Sequence, residues 1–180
     1  MMYLHVLCGI PGSGKSTLAG RLSGHYVSTD SLRKYLWGDE SILKHDKLVF
    51  KLAAEIIRYN LGEGDDVIFD ATNLTSGRRS KLVLLARQFA ARVVLHWVDC
   101  PLKVAIKRNS QRERQVPVKV IAALFNSFEA PSTGEGFDVI KVYDQDKRPV
   151  RAITKKRSVA RAGDIRFLST RAGKLNLPAK

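Results

Sequence analysis

The chain predicts an α/β fold built on a parallel sheet with helices on both faces, and three observations carry that expectation. Short apolar runs recur at intervals and alternate with longer segments of helical period. The first apolar run leads directly into Gly9-Ile10-Pro11-Gly12-Ser13-Gly14-Lys15-Ser16-Thr17, a glycine-rich turn set between a strand and a helix. The 180 residues, 44% of them hydrophobic, can bury one substantial core and are too few for two full domains.

Taken in order, Tyr3–Cys8 is the first strand and Lys15–Ser23 the helix that follows it. Tyr26–Thr29 is a short strand, and Asp30–Trp37 a short helix begun by an aspartate suited to N-capping. Asp46–Leu61 carries Leu48, Leu52, Ile56 and Tyr59 at helical spacing, with Gly62 as the stop. Val67–Asp70 is a buried strand, Ser76–Ala91 helical, and Val93–Asp99 another strand. Pro101–Ser110 opens with proline in a first turn, where its missing N–H costs nothing. The basic stretch Arg108–Gln115 leads into a helix over Pro117–Phe128, and Phe137–Tyr143 is the last strand.

The pattern Gly9-xxxx-Gly14-Lys15-Ser16 is a phosphate-binding loop. Its glycines let backbone N–H groups turn inward around phosphates, and Lys15 is a point charge for the β and γ phosphates. Ser16 offers a hydroxyl to Mg²⁺, and Thr17 continues the helix. A second metal-side group is expected on a buried strand ending in a carboxylate, which Val67-Ile68-Phe69-Asp70 provides; an aspartate at a strand end also suits a turn cap.

Asp30 follows the second strand and Arg33 lies three residues on, so a helix projects both from one face. A carboxylate there can take the proton of an attacking hydroxyl, and a guanidinium can hold a phosphate of the acceptor. The same aspartate could instead cap the helix. Three arginines within Arg108–Arg114 have the character of a lid closing over transferring phosphate, or of a solvated basic turn.

These segments, with Asp70-Ala71-Thr72-Asn73, Arg108-Asn109-x-x-Arg112-x-Arg114-x-Val116-Pro117 and Glu135-Gly136-Phe137-Asp138, resemble the kinase domain of 5′-hydroxyl polynucleotide kinases in order and spacing over residues 3–143. The resemblance implies a P-loop kinase-type parallel sheet of five strands, ordered 2-3-1-4-5, flanked by helices and covered by a helical lid. It implies ATP and Mg²⁺ held by Gly12, Ser13, Gly14, Lys15, Ser16, Thr17 and Asp70. Asp30 would be the general base for a 5′-hydroxyl, Arg33 would contact a phosphate of the acceptor strand, and Thr72 would line the acceptor groove. Lys15, Arg112 and Arg114 would act on the ATP phosphates. The lid is a residue or two shorter than in some relatives, which leaves the division of labour between the two arginines open. The implied activity is γ-phosphate transfer to the 5′-hydroxyl of DNA or RNA. Related modules phosphorylate small molecules, and a nucleotide-dependent nucleic-acid-binding protein without transfer is the remaining alternative.

Charge adds an expectation about partners. Lys and Arg number 31 against 17 Asp and Glu, net +14, a balance that attracts polyanions such as nucleic acid. From Lys147 onward there are 11 Lys and Arg against Asp164 alone, so the kinase domain is expected over residues 1–146 and a basic extension over 147–180. Ile153, Phe167 and Leu168 are scattered apolar positions within that extension, which suits a weak hairpin or a tail. Cys8 and Cys100 have no metal-ligand neighbours at a recognisable spacing and read as buried thiols. No apolar run reaches the roughly 20 residues of a membrane span, and the N-terminus has no signal-peptide character, so a cytoplasmic location is expected.

Overall fold

The structure, a computed structural model, describes residues 1–154. Runs that stay largely apolar on both faces, because they lie between helical layers, form the centre of the sheet, and more exposed runs form its edges; the described residues contain six strands. They are β1 (Tyr3–Cys8), β2 (His25–Ser28), β3 (Val67–Asp70), β4 (Arg92–Val98), β5 (Val139–Tyr143) and β6 (Pro149–Thr154). The sheet order is β2-β3-β1-β4-β5-β6, with the first five strands parallel and β6 antiparallel to β5. The expected order of five strands therefore holds. The sixth is an addition, formed by residues whose charge had assigned them to the extension. Its pairing sets Ile153 opposite Ile140, and Ile153 packs against the main core. Residues 155–180, including Phe167 and Leu168, lie outside the described residues.

Alternation along β1 divides its side chains between two layers. Leu4, Val6 and Cys8 join Phe69, Leu95 and Ile140 beneath two helices, α3 (Asp46–Glu63) and α4 (Ser76–Arg87), which contribute Ala53, Ile57, Leu61, Leu82, Val83 and Ala86. Leu7 faces the other way with Ile68, Val98 and Tyr143, under Leu18 and Ala19 of α1 (Lys15–Ala19). A smaller cluster of Ile10, Leu74, Cys100, Ala105 and Ile121 seats the lid helices α5 (Leu102–Asn109) and α6 (Val118–Asn126). Both cysteines are free and buried. Among the described residues no helix is long and apolar enough to cross a membrane.

Several boundaries differ from expectation for local reasons. Helix α1 stops at Ala19, capped by Gly20, rather than at Ser23. Helix α3 runs through Gly62 to Glu63 and ends at Gly64, whose φ of 91° is the left-handed conformation that closes a helix. Helix α4 ends at Arg87, and Ala90 takes a positive φ of 53° in the turn to β4. The helix α2 (Thr29–Trp37) is capped by Ser28, whose hydroxyl accepts from the Ser31 N–H at 3.3 Å. Asp30 sits inside the first turn, so it is not the cap.

Candidate active site

The loop between β1 and α1 takes its shape from glycine. Gly9, Gly12 and Gly14 have φ of 149°, 80° and 99°, and a Cβ at Gly12 would strike the Ala105 backbone carbonyl. The loop is fastened to the β3 side by the Gly9 N–H, which donates to the Thr72 carbonyl at 3.1 Å. Lys15 is only 9% exposed, and its ammonium donates to the Ile10 carbonyl at 3.0 Å, back into its own loop. Burial lowers its pKa, while the negative charges of Asp70 and Asp30 pull it upward. Ser13 turns inward: its hydroxyl is enclosed beside Gly9 and, among the described residues, is the one buried side-chain polar atom without a partner.

At the other side of Lys15, three oxygens converge. Ser16 Oγ and the Tyr26 hydroxyl both donate to Asp70 Oδ2 at 2.7 Å. Burial and this hydrogen bond push the Tyr26 phenol up to about 12. Asp70 is 6% exposed at the end of a strand buried along its length. Hard oxygen donors of this kind suit Mg²⁺, which takes one or two protein oxygens and completes its shell with phosphate and water. A loop that admits no Cβ, a buried ammonium and this oxygen pair together fit a nucleoside triphosphate and its cation.

Asp30 and Arg33 are brought together as helical spacing requires, with Arg33 Nη1 donating to Asp30 Oδ1 at 2.7 Å. The rest of the Arg33 fork is taken by Asp46 Oδ1, at 3.0 Å from Nε and 2.7 Å from Nη2. Arg33 is buried between the two carboxylates, while the Asp30 side chain remains 52% exposed to the cleft. Arg114 reaches in from the lid, bound to Glu40 at 2.9 Å and 3.9 Å from Asp30 Oδ2. Arg112 is exposed and forms no ion pair among the described residues.

All the residues singled out from the sequence except Ser13 line one cleft of about 790 Å³ at the C-terminal ends of the strands. Gly12, Gly14, Lys15, Ser16 and Thr17 form one end; Asp70 and Thr72 the floor; Asp30 and Arg33 the β2 side; Arg112 and Arg114 the roof. Sequence reasoning missed Tyr26, Lys147 and an apolar part of the wall from Leu43, Phe50, Val116, Val120 and Leu124. Arg108 was expected among the lid arginines that close over phosphate, or in a solvated basic turn. Its guanidinium in fact spans the loop and the β5–β6 turn, donating to the Ser13 carbonyl at 3.4 Å and to the Gln145 carbonyl at 2.6 Å.

The chain is 25% identical over 147 residues to an L-seryl-tRNA(Sec) kinase of Methanococcus maripaludis, a match spanning 76% of this chain and 56% of that one. It is 26% identical over 167 residues to a KTI12 homolog of Danio rerio, across 84% of this chain and 60% of that one. The chain thus spans little more than half the length of these curated relatives. Among solved structures, Chaetomium thermophilum Kti12 in complex with ADP-AlF3 superposes with a TM-score of 0.63 at 20% identity, covering 81% of this chain and 90% of that one. A chain of the Pnkp1/Rnl/Hen1 RNA repair complex superposes with a TM-score of 0.62 at 24% identity, covering 87% and 50%. At these identities the superpositions speak for the fold: a P-loop kinase-like sheet with its lid. The model of the AAA domain family matches residues 4–131, well over half of the chain and the whole of the cleft up to the β5–β6 turn, so the chain belongs to that family.

Proposed function

We propose that the protein is an ATP- and Mg²⁺-dependent kinase that transfers the γ-phosphate to a hydroxyl of a nucleic acid, with the 5′-hydroxyl of DNA or RNA as acceptor. The observation that carries this reading is Asp30: a half-exposed carboxylate, relieved of capping by Ser28 and oriented by Arg33, opening onto the cleft that contains Lys15. ATP would supply the phosphoryl group, and a bound Mg²⁺ would neutralise negative charge on its phosphates. Gly12, Gly14 and Thr17 line the phosphate end of the cleft, and Ser16 and Asp70 would hold the cation. Lys15 exchanges the Ile10 carbonyl for phosphate oxygen. Asp30 takes the proton of the acceptor hydroxyl as it attacks. Arg114 and Arg112 move onto the charge that develops on the transferring group, Arg114 leaving Glu40 to do so. Thr72 and the neighbouring floor line the acceptor side.

The Arg33 fork is already filled by Asp30 and Asp46. In this reading Arg33 orients the base, and contacts an acceptor phosphate only if Asp46 yields. That same observation favours a second reading, ATP turnover that drives a binding cycle without transfer. Labelled ATP incubated with 5′-hydroxyl oligonucleotides, tRNA, nucleosides and sugars separates the readings. Label on an oligonucleotide 5′ end is the expected result. Label on a sugar or nucleoside alone overturns the nucleic-acid acceptor, and hydrolysis without any transferred label supports the binding cycle.

A further inference from the structure

We propose that Lys147 is a second phosphate-binding lysine of this cleft, delivered to the β1–α1 loop by the turn between β5 and β6. The inference rests on the nucleotide-binding part of the reading above and assigns a residue outside the family's matched span.

The backbone at Lys147 has φ 63°, one of three non-glycine residues with positive φ among the described residues. Lysine rarely adopts this conformation, and here the surrounding turn enforces it. The Lys147 N–H donates to the Asp144 carbonyl at 2.9 Å, and Asp144 Oδ1 accepts from the N–H groups of Asp146 and Arg148 at 2.8 and 2.9 Å. Arg21 donates to the Lys147 carbonyl at 3.3 Å, tying the turn to the end of α1. Arg108 then bridges this turn to the loop itself, through Gln145 and Ser13, and pairs with Asp146 at 3.1 Å.

The outcome of that bracing is where the side chain lies. Lys147 Cδ is 3.0 Å, and Nζ 3.8 Å, from the position a Cβ would take at Gly14. The half-buried stem thus occupies the space that glycine leaves open, and Lys147 lines the same cleft as Lys15. Two carboxylates stand close by in sequence, yet Asp144 pairs with Arg148, and Asp146 with Arg108 and Arg148. Among the described residues Lys147 has no ion-pair partner. An ammonium withheld from adjacent aspartates and laid beside a loop built to receive phosphate has a polyphosphate as its natural counterion.

The test uses the full chain and two kinds of measurement. Lys147→Gly suits the left-handed turn, so it should melt no lower than the wild type while weakening Mg²⁺-ATP and Mg²⁺-ADP binding in calorimetry by about tenfold or more; Lys147→Arg should recover most of the loss. In the unmodified protein, Mg²⁺-ATP should protect Lys147 from acetylation, read by mass spectrometry, while exposed Lys103 on α5 reacts as before. Equal ATP affinity for wild type and Lys147→Gly, or acetylation of Lys147 undiminished by ATP, overturns the inference and leaves the proposed function standing. A wild-type chain that binds no ATP at all defeats both.

Discussion

Replacing Lys15 by methionine separates what the lysine does for binding from what it costs the ligand-free fold. The side chain keeps its length, loses its charge and remains in a site that is 9% exposed. The variant gives up one charge-assisted hydrogen bond, to the Ile10 carbonyl at 3.0 Å, of about 1.5–3 kcal/mol. Against that, burying an ammonium costs several kcal/mol even after relaxation. The downward shift of the Lys15 pKa says that burial outweighs the pull of Asp70 and Asp30. Stability should therefore stay level or rise by about 1–2 kcal/mol, with Tm moving about 2–4 °C per kcal/mol in a domain of this size. The wild type should gain about 2.7 kcal/mol from Mg²⁺-ATP at a hundred times its Kd; the variant should gain almost nothing, and its transfer activity should vanish. Melting curves with and without Mg²⁺-ATP, beside a label-transfer assay, read all three. An unliganded Lys15→Met protein melting several degrees below wild type would refute the burial argument. An undiminished ATP-induced shift would refute the role of Lys15 in binding.

Asp30→Asn should lower transfer by about 10²–10⁴ with ATP affinity unchanged. Ser28→Ala should lower stability by about 1 kcal/mol through loss of the α2 cap; if thermal melts showed the stability loss in Asp30→Asn and none in Ser28→Ala, the assignment of cap and base would be reversed. Burial, with repulsion from His5 and Lys141, pushes the His96 imidazole down to about 3, below its ordinary 6.5. The unfolded chain then takes up a proton first as pH falls, so stability present above pH 6.5 should drain toward pH 3 at up to about 1.4 kcal/mol per unit for this group. His96→Leu should flatten that slope in denaturant titrations across the window, and an unchanged slope would assign the acid sensitivity elsewhere. Truncation after Thr154 removes eight Lys and Arg against Asp164 while sparing β6 and Lys147. It should leave transfer to a short acceptor intact and reduce both affinity for long oligonucleotides and its salt dependence; identical salt slopes for the two proteins would dissociate the extension from nucleic acid.

The parts of the site that were legible in the sequence are those fixed by local chain geometry. Gly9 to Ser16 must turn tightly and offer amides, and Val67–Asp70 can only be a buried strand that delivers a carboxylate at its end. Asp30 and Arg33 meet because both stand on one helix face. What pairing adds was not legible. Tyr26 reaches Asp70 because β2 and β3 are neighbours in register, Ser28 opposite Asp70, and no local signal announces that. Asp46, which fills the Arg33 fork, lies across a helix–helix contact thirteen residues away. Strand β6 could be read only as a weak hairpin or a tail, because the net charge of residues 147–180 outweighed its few apolar positions, whereas its place is set by Ile153, opposite Ile140 and packed against the core.

Behind the floor of the cleft, Arg79 is fully buried, clasped by both Glu135 oxygens at 2.7 and 2.9 Å, and donates to the carbonyls of Asn73 and Leu74. Asn73 in turn holds a φ of 47° and donates to the Leu7 carbonyl at 2.7 Å. The segment carrying Asp70 and Thr72 is thus clamped from the rear by groups outside the cleft lining. For anyone wishing to redirect the protein to a different acceptor, this divides the cleft into foundation and fittings. Changes at Arg79, Glu135 or Asn73 would disturb phosphate and metal chemistry together. Leu43 and Val120 are exposed in the cleft wall and belong to none of the core clusters, and libraries built there can vary the acceptor while the machinery of transfer stays in place.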